Sequence, residues 1–548
     1  MKTIHACILS MTLIAVGAVL ADLPPGFPKE MPDYAGVAAS NFWEKCGYRD
    51  DNPQGDYVMP KIDPKTAIVV DQDGKGGKPA DDNAGTAEAP LKTIGAAIKR
   101  IKPGAVVLIR GGVYQVHEIT LAKEQAGTPE QPVLISAWPG EKVELTATLP
   151  VSGWQKREDG LWTAPLPAFE GGQWGNLHLG DRILLDVGQY LEMTTFDKAH
   201  RKLGHAPQAT PPLLPADYLF AIQDGKLLLR LPEGADPNKL DAAISTGTGR
   251  IGTGVQLNSA SHVIFNRLTF RRLVSALDVR TAGGVVLRYC VFQNNTEALT
   301  GTGFDAMAPM FIDRCCFEGT LWQNIYCLMP MTVRYSLFRN MLPNQAALTA
   351  YNSKHDAYHH VMVIGNTFLQ TGACIYLTPG DSVARHNLAY SSRFVSCSGT
   401  RNVVEQNFVV YDPRDEAIAK VPRRDIGMRL YSYDSAARDN TFIGFSRGLL
   451  VNGVEGKAAV TGNRFYGYDD YGIIVRGTNG LEIAKNLFVP AKPELPVLMT
   501  EIKEGNSEGK HPWDRPDILA ANQVDPKAKP PAIPQVIREA MAANPYQH

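Results

Sequence analysis

The 548-residue chain has little charge, few cysteines and no long apolar run after its first residues. Charged residues make up 20%, less than a disordered or coiled-coil chain carries. Its 55 basic and 56 acidic residues leave a net charge of −1, so it lacks the basic excess that nucleic-acid binding requires. Glycine (50) and proline (38) are frequent, which suits a fold with many turns but is far from a collagen.

The first 21 residues have the pattern of a secretory signal peptide. Lys2 and His5 precede the apolar run 8–20, and the small residues Val19 and Ala21 stand at the −3 and −1 positions. The apolar run is short for a membrane span, which needs about 20 residues. We therefore predict cleavage after Ala21 and a secreted or periplasmic protein without a membrane span.

Cysteine use after Ala21 excludes two small-domain classes. Seven cysteines follow the cleavage point, an odd number, and none forms a CxxC pair. This pattern indicates neither a dense disulfide framework nor a zinc ribbon. Because most lie in apolar runs, we expect buried thiols. The seven are Cys46, Cys290, Cys315, Cys316, Cys327, Cys374 and Cys397.

A repeat of about 20–25 residues dominates the chain from Phe265 onward. Each unit ends in a short motif, such as RYCVF (288–292), DRCCF (313–317) or GNRF (462–465), and carries a short strand-like run. A unit of this length has no room for a helix of about ten residues beside its strands, and the leucine-rich pattern is absent. The repeat therefore predicts a parallel β-helix of about ten or more coils.

Two positions before the end of each motif, one column of residues recurs. It begins with Leu268, Cys290, Cys315 and Ser336, and then holds only asparagine. Asparagines stacked about 4.8 Å apart bond each coil to the next, so we predict a structural ladder rather than a catalytic one. Its asparagines are Asn366, Asn387, Asn407, Asn440, Asn463 and Asn486.

The sequence before and after the repeats differs from them. Segment 90–101 has helical apolar spacing and leads into strand-like runs, whereas 151–250 is rich in tryptophan and has a hairpin signal at Asp224-Gly225. A proline- and lysine-rich tail ends in a short helical pattern at 536–543. The resulting division is a signal peptide 1–21, an N-terminal extension 22–65, the β-helix entry and first coils 66–150, an inserted β-rich module 151–250, the coils 251–490 and a tail 491–548 that caps the last coil.

Three stretches resemble the β-xylosidases of glycoside hydrolase family 120. They are the entry segment with PLKTIGAAI (90–98) and KPGAVVLIRGGVY (102–114), SGWQKREDGLWTAPLP (152–167) and LLLRLPEGADPNKL (227–240). The resemblance covers roughly 70–250 and implies that family's architecture. We therefore expect an all-β fold, a right-handed, pectin-lyase-like parallel β-helix with an inserted β-sandwich-like module near the N-terminus.

The catalytic carboxylates of that family have no acidic counterpart here. The family's nucleophile aligns with Thr378, and its general acid, one coil later, aligns with Ser396. A retaining glycosidase needs two carboxyl groups about 5–5.5 Å apart. Either the alignment slips by one coil or this chain does not use that mechanism.

Alternation along the repeat strands predicts an outward-facing set of polar and aromatic residues. Tyr326, Tyr351 and Tyr376 lie in neighbouring or near-neighbouring coils and predict a floor on which sugar rings stack. An ordinary β-surface rich in tyrosine and threonine is the alternative. The set is Asp278, Arg280, Thr300, Thr302, Tyr326, Thr349, Tyr351, Tyr376, Thr378, Ser396, Ser398, Arg429, Tyr431, Asn452 and Arg476.

An enlarged turn beside this face, 351–360, gathers Lys354, His355, Asp356, His359 and His360. A histidine or lysine near an aspartate can act as a base, with tyrosine or arginine as the acid, which is the equipment of uronate β-elimination. A solvated surface, a hydrolase site and a metal site are the alternatives for this turn.

The region that runs from Lys354 through Asn366-Thr367-Phe368 and Gly372 to Leu377 also resembles the alginate and chondroitin lyases of polysaccharide lyase family 6. In that family a lysine is the base and an arginine one coil later assists, but this chain has Thr378-Pro379 at the second place. The family's acidic calcium ligands are not evident. The sequence therefore requires no cofactor and leaves calcium binding open.

We predict an enzyme that cleaves glycosidic bonds of a poly- or oligosaccharide, as a hydrolase or a lyase. The alternative is a non-catalytic carbohydrate-binding or cell-surface protein. Asp356 and Asp381, which follow strands of successive coils, form the fallback hydrolase pair. The catalytic candidates are Lys354, His355, Asp356, Asp381 and Arg429. The substrate-binding candidates are Tyr326, Tyr351, Tyr376, His359, His360 and Tyr431.

Overall fold

Three long parallel sheets wind around one axis in a computed structural model of the protein. Each sheet has 13 strands, and from Val106–Ile109 to Leu498–Glu504 the strands of the solenoid enter sheets A, B and C in turn. All pairs in these sheets are parallel except the last pair of sheet C, Leu498–Glu504 with Ser507–Pro512, which is antiparallel. The fold is therefore the predicted right-handed parallel β-helix. The structure describes residues 57–116, 119–169, 173–184, 219–247, 253–301, 308–321, 323–340, 346–351, 361–391, 393–414, 426–431, 434–452, 457–476, 481–504, 507–512 and 515–542.

The strands of the three sheets are short and stack in register. Sheet A contains Ile68–Val70, Val106–Ile109, Val133–Ala137, Val263–Asn266, Val286–Arg288, Met310–Asp313, Met331–Arg334, Val361–Ile364, Val383–Arg385, Val403–Glu405, Ala436–Arg438, Ala458–Thr461 and Leu481–Ala484. Sheet B contains Gly112–Gln115, Val143–Thr146, Leu268–Arg271, Val291–Gln293, Cys316–Glu318, Leu337–Arg339, Thr367–Thr371, Leu388–Ser391, Phe408–Val410, Thr441–Ile443, Arg464–Tyr468, Leu487–Pro490 and Gln523–Val524. Sheet C contains Ile119–Leu121, Thr253–Asn258, Ser275–Arg280, Glu297–Gly301, Ile325–Cys327, Ala346–Ala350, Ala373–Leu377, Val395–Cys397, Ile426–Leu430, Arg447–Asn452, Tyr471–Arg476, Leu498–Glu504 and Ser507–Pro512.

The core between the sheets is built from columns of identical or similar side chains. On sheet B, five buried phenylalanines stack with ring centroids 4.8 Å apart, which is the spacing of adjacent strands. They are Phe270, Phe292, Phe317, Phe338 and Phe368. The stack is interrupted by the smaller Ala389 and Val409 and resumes at Phe442, Phe465 and Phe488.

The turn from sheet A to sheet B explains the asparagine ladder. Its first residue has a left-handed φ between 52° and 69° in ten successive coils, and the ladder residue follows it. In the later coils the ladder asparagine bonds its neighbour, as between Asn387 Nδ2 and Asn407 Oδ1 at 2.9 Å. The structure confirms the predicted ladder and extends it to Asn522. The left-handed residues are Arg267, Tyr289, Arg314, Tyr335, Gly365, His386, Gln406, Asp439, Gly462 and Lys485.

The cysteines are core residues. The six that the structure describes are buried and unpaired, as predicted, and Cys46 lies outside the described residues. Burial raises the pKa of the Cys316, Cys327 and Cys374 thiols to about 12, so these thiols stay protonated at neutral pH.

Two four-stranded antiparallel sheets form the inserted module. One contains Thr148–Pro150, Gln173–Leu179, Arg182–Leu184 and Ala242–Gly247, and the other contains Gln155–Lys156, Trp162–Pro165, Leu219–Gln223 and Lys226–Arg230. They share a separate apolar core that includes Trp154. A buried hydrogen bond from Asn176 Nδ2 to Thr296 Oγ1 (2.6 Å) and the ion pair of Arg272 with Asp241 (2.6 Å) join the module to the solenoid.

Short helices and the chain ends cover parts of the solenoid. Helices span Ile94–Ile98, Pro516–Ala520 and Gln535–Ala542, and 3₁₀ turns span Lys123–Gln125 and Pro237–Lys239. The last helix lies on sheet B, where Gln370 Nε2 donates to the carbonyl of Ala540 at 3.2 Å. None of the helices in the described ranges is long and apolar enough to cross a membrane.

The N-terminal described segment lies on the outer face of sheet A. Tyr57, with Met59 and Ile62, packs on an apolar cluster that includes Phe311. The Tyr57 hydroxyl donates to Asp313 Oδ2 at 2.9 Å, and burial followed by the charge of Asp313 raises the pKa of this phenol. The contact joins the N-terminal extension to a coil more than 250 residues further along the chain.

Candidate functional site

An outward column of mostly polar side chains runs along sheet C. Each of its residues is the register partner of the next, one coil later. At about 4.8 Å per coil, its six steps span about 29 Å. The column consists of Asp278, Thr300, Tyr326, Thr349, Tyr376, Ser396 and Arg429.

The polar character of this column ends after Arg429. The next positions are Leu450, Ile474 and Met499, and the first two are buried in an apolar cluster. The polar column therefore ends at this coil, whereas in the other direction its register continues through Gln256 and Thr120, which are also polar.

The tyrosines predicted to form a stacking floor lie in two adjacent columns. Tyr326 and Tyr376 share the polar column and are separated by Thr349. Tyr351 stands two residues after Thr349, with 44% of its surface exposed, and Tyr431 has the equivalent place after Arg429. Burial and the charge of Tyr351 raise the pKa of Tyr326. The rings thus form a broad, discontinuous aromatic surface rather than one stack.

A buried arginine holds the central tyrosine. Arg393 is 4% exposed, and its Nη1 donates to the Tyr376 hydroxyl at 2.7 Å. Its guanidinium carbon also lies 6.0 Å from the centre of the Tyr376 ring. The sequence pattern does not single out Arg393, because this residue lies in the turn before its strand, where alternation gives no direction for a side chain. The pair fixes the orientation of the phenol in the middle of the column.

Two carboxyl groups lie at the first rungs of the column. Asp278 Oδ2 accepts from Arg280 Nε at 2.6 Å, and its side chain is 4% exposed. Glu297, in the next coil, accepts from Thr300 Oγ1 at 3.5 Å. Burial raises the pKa of Glu297, the hydrogen bond from Thr300 opposes this, and the negative charge of Asp278 adds to it. Neither residue is among the predicted catalytic candidates, although Asp278 belongs to the predicted outward-facing set.

Asp381, a catalytic candidate, lies away from this column. It is in the turn after Ala373–Leu377, where Arg401 binds both of its oxygens at 2.6 Å. Its carboxylate is 12% exposed. The proposed partner Asp356 lies outside the described residues, so the Asp356–Asp381 pair stays a prediction.

The two positions matched to the family 120 carboxylates are not at one ladder position. The register pairs Ser396 with Tyr376, whereas Thr378 lies two residues after Tyr376. Thr378 Oγ1 donates to the carbonyl of Ala350 at 3.2 Å. Two residues that are offset in this way do not substitute for a pair of facing carboxylates.

Residues 352–360 of the enlarged turn, which carry several catalytic candidates, lie outside the described residues. These candidates are Lys354, His355, Asp356, His359 and His360, and their roles stay predictions. Within the described ranges no cluster of three or more histidine, cysteine, aspartate or glutamate side chains is arranged to hold a metal ion. The sequence leaves calcium binding open, and nothing in the described residues tests it.

Comparison with known proteins finds similarity in structure only. No family model matches the chain, and no curated protein matches its sequence. A structure described as XylC in complex with xylose is 13% identical, with a TM-score of 0.49 over 81% of this chain and 88% of that one. A second, described as a glycoside hydrolase, is 15% identical, with a TM-score of 0.48 over 86% and 98%. A family 6 alginate lyase is 13% identical, with a TM-score of 0.36 over 78% and 55%. At these identities the likeness concerns the fold.

Proposed function

We propose that this protein is a carbohydrate-active enzyme that cleaves glycosidic bonds of a poly- or oligosaccharide bound along the polar column of sheet C. The observation that carries the proposal is the alignment of aromatic, hydroxyl and charged side chains along about 29 Å of one face. Sugar rings offer C–H faces to tyrosine and hydroxyl groups to threonine, serine and arginine.

The column provides both kinds of contact at the spacing of the coils. Tyr326 and Tyr376 supply aromatic faces two rungs apart, and Thr349 supplies a hydroxyl between them. Arg393 orients the phenol of Tyr376 through a hydrogen bond. A linear glycan that lies parallel to the solenoid axis would meet an aromatic surface and a hydrogen-bonding group in turn.

A substrate screen tests the proposal. The protein from Asp22 onward is incubated with neutral and uronic polysaccharides and with aryl-glycosides, while reducing ends and the ultraviolet absorbance of unsaturated products are followed. We expect new reducing ends from one glycan class, and we expect Tyr326→Ala and Tyr376→Ala to raise KM at least about fivefold. Tyr335→Ala, in a turn between sheets A and B, is the matched control.

Each outcome of the screen separates the candidates. Cleavage that is insensitive to both tyrosine substitutions would exclude this column as the site. Binding without cleavage would favour the non-catalytic carbohydrate-binding protein. Absence of both cleavage and binding across all glycans would overturn the proposal.

We also propose that the protein is exported. The support is the signal-peptide pattern that ends at Ala21. Expression in a bacterium with a secretion system, followed by mass spectrometry of the exported chain, should give a mature N-terminus at Asp22. Retention of the full-length chain in the cytoplasm would contradict this.

A further inference from the structure

The acidic residues of the polar face are few and lie close together. Seven strands of sheet C, from Ser275–Arg280 to Ile426–Leu430, contribute to this face, and they contain two acidic residues. These are Asp278 and Glu297, on adjacent strands. Most glycosidases use two carboxyl groups that flank the scissile bond.

The side chain of Glu297 brings the two groups together on neighbouring coils. The Glu297 carboxyl reaches Thr300 Oγ1, and Thr300 is the register partner of both Asp278 and Tyr326. Glu297 itself is the register partner of Ser275, so its side chain, and not its place in the strand, brings its carboxyl group beside the rung of Asp278. With adjacent strands about 4.8 Å apart, this arrangement is compatible with the separations of about 5–10 Å that glycosidases use. Tyr326, one coil further, offers an aromatic face to the sugar next to the scissile bond.

The surroundings of the two carboxyl groups differ. Asp278 has a cationic partner in Arg280 at 2.6 Å, and its Oδ1 accepts no hydrogen bond within the described chain. Glu297 has no cationic partner there, and burial together with the charge of Asp278 raises its pKa. When the environments of two carboxyl groups differ in this way, the group that holds its proton more tightly suits the role of acid and the other suits the role of base.

We propose that Glu297 is the proton donor and Asp278 the proton acceptor of a hydrolytic cleavage. The proton of Glu297 passes to the glycosidic oxygen as the bond from that oxygen to the anomeric carbon breaks, and the bonding electrons stay on the oxygen. A water molecule forms the new bond to the anomeric carbon, and its proton passes to Asp278. The inference rests on the proposed function and selects hydrolysis over elimination.

Leaving-group dependence tests the donor. Glu297→Gln keeps the shape of the side chain but cannot donate a proton, so we expect a loss of about 10²–10⁴-fold on natural glycosides. The loss should be much smaller on a nitrophenyl glycoside, whose leaving group needs little protonation. A merely structural role would affect both substrates equally. Glu482→Gln, at an exposed residue of sheet A, is the matched control and should act like wild type.

The pH profile tests the acceptor. Asp278→Asn removes the negative charge that raises the pKa of Glu297, so the alkaline limb of the remaining activity should move to lower pH. Activity of Glu297→Gln within twofold of wild type, or a product with the ultraviolet absorbance of an unsaturated sugar, would overturn the inference.

A titration without substrate keeps the test independent of the proposed function. Infrared difference spectra between wild type and Glu297→Gln give the pH at which the Glu297 carboxyl loses its proton. We expect a midpoint above that of an ordinary glutamate, and a lower one in Asp278→Asn. An ordinary midpoint that Asp278→Asn leaves unchanged would overturn the inference even if no glycan is found. A raised midpoint without cleavage of any glycan would instead count against the proposed function.

Discussion

Replacement of one central ladder asparagine should destabilise the solenoid far more than replacement of the terminal one. Asn407 Oδ1 accepts from both Asn387 N and Asn387 Nδ2 at 2.9 Å. Asn407 Nδ2 donates to the Ala384 carbonyl at 2.9 Å and to Asn440 Oδ1 at 2.8 Å. Asn407→Ala removes all four bonds at a site that water does not reach.

The magnitude follows from the groups that are left without partners. A buried polar group that loses its partner costs about 1–3 kcal/mol, and Asn387 N loses its acceptor completely. Because Asn387 Nδ2 and Asn440 Oδ1 keep other bonds, we expect a total of roughly 3–5 kcal/mol. Asn522 makes similar bonds to Asn486 but is half-buried, so water can replace them, and Asn522→Ala should cost about 1–2 kcal/mol.

Urea unfolding followed by circular dichroism measures the two losses of free energy. Hydrogen exchange of peptides around Asn387 supplies a local reading, in which Asn407→Ala should exchange faster and Asn522→Ala should not. If the two variants lose the same stability within about 1 kcal/mol, the ladder bonds do not act as argued.

Three further predictions concern other columns and contacts. Phe317 lies between two phenylalanine rings at 4.8 Å, so Phe317→Ala should lower the free energy of unfolding in urea by about 3–5 kcal/mol. Phe317→Leu should lower it clearly less, and equal losses in the two variants would refute a role for stacking. Burial, then Arg385, lowers the pKa of His386 to about 4, below its unfolded value near 6.5. Stability should therefore fall as pH drops from about 6.5 to 4, and His386→Gln should flatten that fall in melting temperatures measured across this range. Tyr57→Phe removes the bond to Asp313, so limited proteolysis should release the N-terminal segment faster than in wild type, and an unchanged rate would contradict an anchoring role.

The fold was predictable because its sequence pattern repeats once in every coil. One asparagine or one phenylalanine per coil repeats at a spacing that only stacked coils satisfy, so the ladder and the direction of the outward residues follow from the sequence. The sequence repeat does not predict Asn522, because its coil lacks the phenylalanine that ends the other motifs and follows a longer connecting segment after Asn486.

The contacts that define the site depend on geometry that the repeat does not encode. Arg393 reaches Tyr376 from a turn, and Glu297 lies at the first residue of its strand, where the alternation of side chains is not yet established. The bond between Tyr57 and Asp313 joins residues 256 positions apart in the chain. Such contacts depend on side-chain conformations and on the path of the chain, and an alignment of the sequence repeats gives neither.

The register of sheet C makes the polar surface modular. Because each coil supplies one residue to the column, substitution of that residue changes one position along a bound chain and leaves its neighbours in place. Loss or duplication of a whole coil would shorten or lengthen the surface by one unit of about 4.8 Å without disturbing the stacking on either side. Such an architecture allows the length of a binding surface to evolve separately from its chemistry, because a change in the number of coils alters the length without remodelling the loops.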